Sequence, residues 1–210
     1  MDRRVFLGGA AAALASPALG AEKASRTFQI MRDGDDIGTH MLDAVLGANG
    51  FEIAIDIRIK VKVLGITAYR YEMDNREIWK DGRIVSVNST VNDDGTKDFA
   101  KATRNGDVLT LEGSKFNGTA PGIAPTTSYF ATDFLKRQPW ISTQTGTPLD
   151  VGIKPEGRKR WWQTSGELET RLGYDATGEW VGCEFDAGGE LASYKVSAGS
   201  GKIADLWAAA

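Results

Sequence analysis

The sequence predicts an all-β protein: a large curved antiparallel sheet closing to a half-barrel or barrel, with one short helix as a lid. Three observations carry this expectation. The stretch "IDIRIKVKV", Ile55 to Val63, alternates apolar and polar residues without a fault, which is the period of a strand with one buried face. Turn signals recur at short intervals; Asp81-Gly82 and Asn105-Gly106 are dipeptides suited to two-residue hairpin turns. Only one segment, ending near Lys136, has a helical pattern. A second layer of helices is therefore missing, and the sheet must curl over itself to cover its apolar side.

The elements follow in order. Thr27 to Arg32 is a short strand, and "DGDDIG" turns it into Thr39 to Leu46. After "GANG" comes the long strand Phe51 to Val63, then Ile66 to Trp79. "KDGR" makes a hairpin with Ile84 to Val91, "NDDGT" one with Asp98 to Arg104, and "NGD" one with Val108 to Leu111. "EGSKFNGTAPGIAPTT" is a loop. Thr126 or Thr127 is placed to cap a short helix through about Lys136, with Tyr129, Phe130, Phe134 and Leu135 as its apolar side and Pro139 ending it. "STQTGTPLDVGIKPEG" is loop with one strand at most. Four more strands follow: Arg160 to Thr164, Glu169 to Tyr174, Trp180 to Phe185 and Leu191 to Val196. The count is about ten strands in one domain, residues 21–198, with a loose tail over 199–210.

The N-terminal 20 residues read as an address rather than as structure. A charged start, an apolar stretch from Phe6 to about Leu19 and small residues at Ala18-Leu19-Gly20 form an export signal cleaved near Ala21. Arg3-Arg4-Val5-Phe6-Leu7 fits the twin-arginine route and so names the twin-arginine export machinery as a partner; an ordinary secretory signal holding two arginines is the other reading. No later run reaches the ~18 apolar residues of a membrane span. The expected location is the periplasm, as a soluble protein. The formal net charge of −3 argues against a nucleic-acid partner, which needs a basic surface.

A cavity follows from the alternation. Ile55, Ile57, Ile59, Val61 and Val63 share one face, and each buried side chain of this kind contributes roughly 1.5–3 kcal/mol, so that face must be covered. On the next strand Tyr69, Tyr71 and Met73 share a face. A two-residue turn alone would put these tyrosines beside Arg58 and Lys60; an odd-length turn at Leu64-Gly65, or a bulge near it, puts them beside the isoleucines. We expect the odd turn. Eight strands enclose a space that side chains fill, and more leave room. The interior is either a cavity for an apolar small molecule or lipid, or a core filled by the chain's own aromatic residues.

Candidate ligand-binding residues are Ile57, Ile59, Val61, Tyr69, Tyr71, Glu77 and Trp79, with Tyr129, Phe130 and Phe134 in the lid. Alternation places Glu77 on the tyrosine face, where a lone carboxylate is costly. It is either a polar handle in a pocket or is turned to water by a bulge or a rim position. Catalytic and metal-ligating residues are not assigned, and no cofactor is expected. His40 is the single histidine and Cys183 the single cysteine, and neither has the clustered partners that zinc or a nucleophile requires. "DGDDIG" lacks an oxygen ligand at Ile37 for calcium, and "GSGK" lacks the first glycine and the Ser or Thr of a phosphate loop. "GRKRWW", Gly157 to Trp162, is either a membrane-headgroup contact or a strand with one tryptophan buried and its charges solvated.

"EIWKDGRIVSVNSTVNDDGT", "TAPGIAPTTSYF" and "LGYDATGEWVGCEFDAGG" resemble exported bacterial proteins of domain-of-unknown-function family 6134, from about Gly38 to Val196. The likeness lies in the Trp79-Lys80-Asp81-Gly82 and Tyr174-Asp175-Ala176-Thr177-Gly178 hairpins. Where such proteins tend to carry a tryptophan before that tyrosine, this chain has Gly173. The resemblance implies a secreted β-rich domain and brings no activity and no catalytic residues. The sequence leads to an exported carrier of an apolar ligand, or else to a non-catalytic envelope interaction module that uses a sheet edge.

Overall fold

The computed structural model describes residues 21–210; the export signal expected over residues 1–20 lies outside them. Eight strands run as an antiparallel meander: β1 Glu22–Arg32, β2 Asp35–Gly47, β3 Gly50–Val63, β4 Ile66–Lys80, β5 Arg83–Asp93, β6 Thr96–Asn105, β7 Val108–Gly113 and β8 Asn117–Pro121. A crossing segment follows, with the short pair β9 Trp140–Ile141 and β10 Pro148–Leu149. The chain then resumes as β11 Val151–Pro155, β12 Trp161–Gly166, β13 Arg171–Tyr174, β14 Trp180–Asp186 and β15 Leu191–Ser200. β15 pairs with β1, and this joins both runs into one sheet of 13 strands, with β11 and β8 at its two ends. Among the described residues these end strands do not pair with each other. The strands exceed the roughly ten expected mainly because β8 and β10 lie in stretches read as loop and the two-residue β9 follows the expected helix; β11 takes the place of the one strand allowed there.

The turn joining β3 and β4 corrects one expectation and upholds its purpose. Leu64-Gly65 is a two-residue turn, with Val63 opposite Ile66, rather than an odd-length one. A bulge at Ala68 then shifts the register, so that Tyr69 opposes Val61, Tyr71 opposes Ile59 and Met73 opposes Ile57. The extra residue does what an odd turn would have done, because one inserted position flips the facing side. Isoleucines and tyrosines therefore share the concave face.

The expected helix is largely absent. Only Thr132–Lys136 forms a 3-10 turn, and Thr126 and Thr127 do not cap it. Thr126 bridges to Ile141, and the Thr127 amide donates to the Ile141 carbonyl at 3.0 Å. Thr126 is held in a β-bridge and Thr127 in the turn after it, by a long-range contact that the sequence pattern does not reveal. The short helix of the molecule lies instead at the C-terminus, α1 Ile203–Ala208.

That terminus was expected to be loose and is packed. Ile203 and Leu206 are buried. The Ala204 amide donates to Glu179 Oε2 at 2.8 Å, and Arg26 pairs with Glu179 Oε1 at 2.9 Å. Trp207 donates through Nε1 to Asp133 at 3.0 Å and enters an aromatic cluster. Its ring lies 5.2 Å from Trp79 and 5.4 Å from Phe51, while Trp79 stacks on Phe134 at 5.2 Å and Phe130 meets Phe134 edge-on at 4.9 Å. This cluster fills one end of the curved sheet.

Gly173 has a visible reason. A side chain there would meet the Trp161 indole at 2.5 Å, and one at Gly182 would meet it at 2.9 Å. Trp161 lies over both glycines on the outer surface, with the Arg158 guanidinium 3.9 Å above its ring. Arg158 is held by both oxygens of Glu184 at 2.8 Å. Trp162 points the other way, against Tyr174. The basic run before the tryptophans is thus partly spent on packing this outer indole. No helix among the described residues is long and apolar enough to cross a membrane.

Candidate functional site

A cavity of about 840 Å³ opens in the half of the sheet away from the aromatic cluster. Its apolar wall is built by β3 and β4: Ile57, Ile59 and Val61 on one strand, Tyr69, Tyr71 and Met73 on the other. The alternation that puts these side chains on one face, and the Ala68 bulge that keeps the tyrosines there, are what make the wall continuous. All but Met73 are only half-buried, so the apolar row is not covered by the chain's own side chains.

The deepest part of the cavity is formed by His40 and Cys183, both 3% exposed, together with Tyr129 and Tyr194. His40 opposes Ile57 across β2 and β3, and so projects to the same face. Its ring meets Trp180 at 5.2 Å and Tyr194 at 5.5 Å, both edge-on. Neither ring nitrogen has a hydrogen-bond partner among the described residues. Burial pulls its pKa from 6.5 to about 3, which leaves the imidazole neutral with one donor and one acceptor. A buried polar group without a partner costs about 1–3 kcal/mol, and a ligand atom reaching the ring would offset that.

The other titratable side chains deep in the cavity are uncharged as well. Burial pushes the Cys183 thiol and the Tyr71, Tyr129 and Tyr194 hydroxyls well above their ordinary values. The same holds for Tyr69, which also donates to Asp93 at 2.7 Å. A protonated thiol and an imidazole with both nitrogens unpartnered do not form an activated nucleophile. Charges stand at the rim: Arg32, paired with Glu190 at 3.1 Å, and the exposed Glu167, Glu169 and Asp186. The result is a neutral, apolar interior with a charged entrance. Among the described residues no group of His, Cys, Asp and Glu is placed to hold a metal ion.

Of the residues expected to bind ligand, Ile57, Ile59, Val61, Tyr69, Tyr71 and Tyr129 line this cavity. Glu77, Trp79, Phe130 and Phe134 do not; they belong to the filled end and are all at most 1% exposed. Phe130 and Phe134 therefore form core rather than a lid, because Trp79, Phe51 and Trp207 close over them. Glu77 is neither a pocket handle nor turned to water. Asn75 and Ser128 donate to its Oε1, and the Trp79 indole at 2.8 Å and Thr126 at 3.1 Å donate to its Oε2. Burial pushes its pKa up while these four hydrogen bonds oppose the rise. Sequence reasoning missed His40 and Tyr194 as cavity residues. For His40 a signal existed, since it shares alternation parity with Leu42 and Ala44. Tyr194 reaches the cavity only through the long-range pairing of β15 with β1.

Comparison with known proteins agrees with this architecture. The fold is similar to a solved structure described as a beta-barrel-like protein of domain of unknown function DUF1849 from Brucella abortus, with a TM-score of 0.55 at 8% sequence identity. The likeness covers 85% of this chain and 97% of that one, and at this identity it speaks for the fold alone. Among curated proteins none matches the chain in sequence. Residues 28–197 match a family model, and by that match the chain belongs to the family described as Domain of unknown function (DUF6134).

Proposed function

We propose that this protein binds or carries an apolar ligand of the lipid class, as an exported soluble protein of the periplasm whose curved sheet acts as a half-barrel container. The observation that carries the reading is the half-exposed row Ile57, Ile59 and Val61, which faces a neutral space of about 840 Å³. That volume falls within the range of small-molecule pockets, about 300–1,000 Å³. Covering the row would contribute a fraction of the roughly 1.5–3 kcal/mol available per buried aliphatic side chain. His40, with the hydroxyls of Tyr129 and Tyr194, gives the deep end a few polar contacts for a ligand that is otherwise oily.

The test is native mass spectrometry and lipid extraction of protein recovered from the periplasm, alongside titration with an environment-sensitive fatty-acid probe. Bound lipid and micromolar probe binding are expected. Ile59→Asp, which sets a carboxylate in the apolar wall, should weaken both strongly while the fold persists. Ligand-free protein in repeated preparations, or equal probe binding by this variant, would defeat the reading.

A second reading is an envelope interaction module. It rests on β8 and β11, each paired on one side only among the described residues, which leaves edges that could accept a strand. Pull-down from envelope extract separates the two readings, because a carrier needs no stable protein partner.

A further inference from the structure

The four hairpins that join β1 to β2, β3 to β4, β4 to β5 and β5 to β6 turn through two-residue links with a positive φ at both positions. Three of them use Asp-Gly: Asp33-Gly34, Asp81-Gly82 and Asp94-Gly95, with φ of 47°, 53° and 47° at the aspartates. The fourth uses Leu64-Gly65, with φ of 52° at the leucine. Asp and Asn tolerate this conformation, and a bulky residue is disfavoured there. Turn chemistry therefore does not account for Leu64, and neither does packing: it is 98% exposed, and Ile66 beside it is 74% exposed.

This hairpin also overhangs the sheet. β2 accompanies β3 only as far as Ile59, and β5 accompanies β4 only from Tyr71. Beyond those points the two strands pair only with each other, so the tip projects about 13 Å. Its residues 60–70 hold Lys60, Lys62 and Arg70 and no carboxylate, in a chain whose net charge is −3. Lys60 lies directly opposite Arg70; Arg70 is paired with the Glu72 carboxylate, whereas Lys60 and Lys62 are exposed and available to an anionic surface. Val61, Ala68 and Tyr69 of the same hairpin line the cavity, so the tip stands at its entrance.

We propose that the β3–β4 hairpin tip docks on an anionic lipid bilayer, with Leu64 and Ile66 entering the headgroup–acyl boundary and Lys60 and Lys62 meeting lipid phosphates. Apolar insertion and attraction to anionic lipid act together in such contacts. The docking stands on the hairpin alone, whether or not the cavity carries a ligand.

The experiment places a polarity-sensitive fluorophore on the tip through Thr67→Cys in the full chain. Cys183 is buried and is not labelled in the folded protein. Vesicles containing half phosphatidylglycerol should shift the emission to the blue, pure phosphatidylcholine vesicles should not, and added salt should reverse the shift. In the same background, Leu64→Asn with Ile66→Thr should raise the lipid concentration needed by about tenfold or more. Any of four results would overturn the proposal: no shift on anionic vesicles, an equal shift on neutral ones, no effect of the double substitution, or a shift that grows with protein concentration in the absence of lipid, which would mark a second copy as the occupant. Probe binding in the cavity is read separately in solution, so failure of one idea is distinguishable from failure of the other.

Discussion

β3 and β4 pass through two different interiors. At one end Phe51 and Ile53 are fully buried and oppose Trp79 and Glu77. A few residues along, on the same face of the same strands, Ile57, Ile59 and Val61 oppose Met73, Tyr71 and Tyr69 and remain half-exposed, Met73 apart. Residue type does not explain the contrast, since isoleucine occurs at both ends. What differs is the material brought across: Phe130, Phe134 and Trp207 arrive from the crossing segment and from α1 to close the first end, and among the described residues no comparable group closes the second. Alternation reports which side of a strand is apolar; the filler decides whether that side is core or cavity.

Substitutions should separate the two ends. The largest effect is expected for Trp79→Ala, which removes the centre of the aromatic cluster and the donor to Glu77. About 4 kcal/mol of stability should be lost in urea denaturation, while cavity probe binding in the remaining folded protein is retained. Next, Ile53→Ala should cost about 3 kcal/mol, whereas Ile59→Ala should cost less than about 1 kcal/mol, because its surroundings are already partly wet. Equal losses at the two positions would show that the second end is as solid as the first.

The two ends should also answer pH with opposite sign, a smaller effect read from denaturation midpoints. Unfolded, His40 takes up a proton below its ordinary pKa of 6.5; folded, it resists until about 3. The unfolded state binds more protons across that window, so stability falls as pH drops through it. His40→Leu should flatten this slope. Glu77 works the other way: its folded pKa lies above the ordinary 4.5, so the folded state holds the extra proton and stability falls as pH rises above about 4.5. Glu77→Gln, which carries no titratable proton, should remove that dependence.

Much of the concave wall was legible in advance. The period-two pattern of β3, the Asp-Gly turns and the shared face of isoleucines and tyrosines are local or nearly local properties. Other features depend on distant partners. The Glu77 carboxylate looks misplaced until Thr126 and Ser128 are brought to it from about 50 positions away. Of the two hydroxyls that read as helix caps, that of Thr126 is occupied in that contact and that of Thr127 pairs with Thr143, so the expected lid begins as a bridge and a turn instead of a helix. The C-terminal helix is too short to show a period, and its burial follows from Glu179 and Asp133, which the sequence does not connect to it. His40 lacks the clustered partners of a metal ligand, and its parity with Leu42 is the local sign that it points inward.

The pairing of β15 with β1 has a bearing on how the protein is made. During synthesis the ribosome releases the meander first and the strand that unites the sheet only after β14, with Trp207 later still. Until residues 191–207 emerge, β1 and β14 each present an open edge and the Trp79 cluster lacks one wall. A chain clipped or stalled before residue 191 would expose both edges at once, and unpaired edges of this kind invite pairing with another chain.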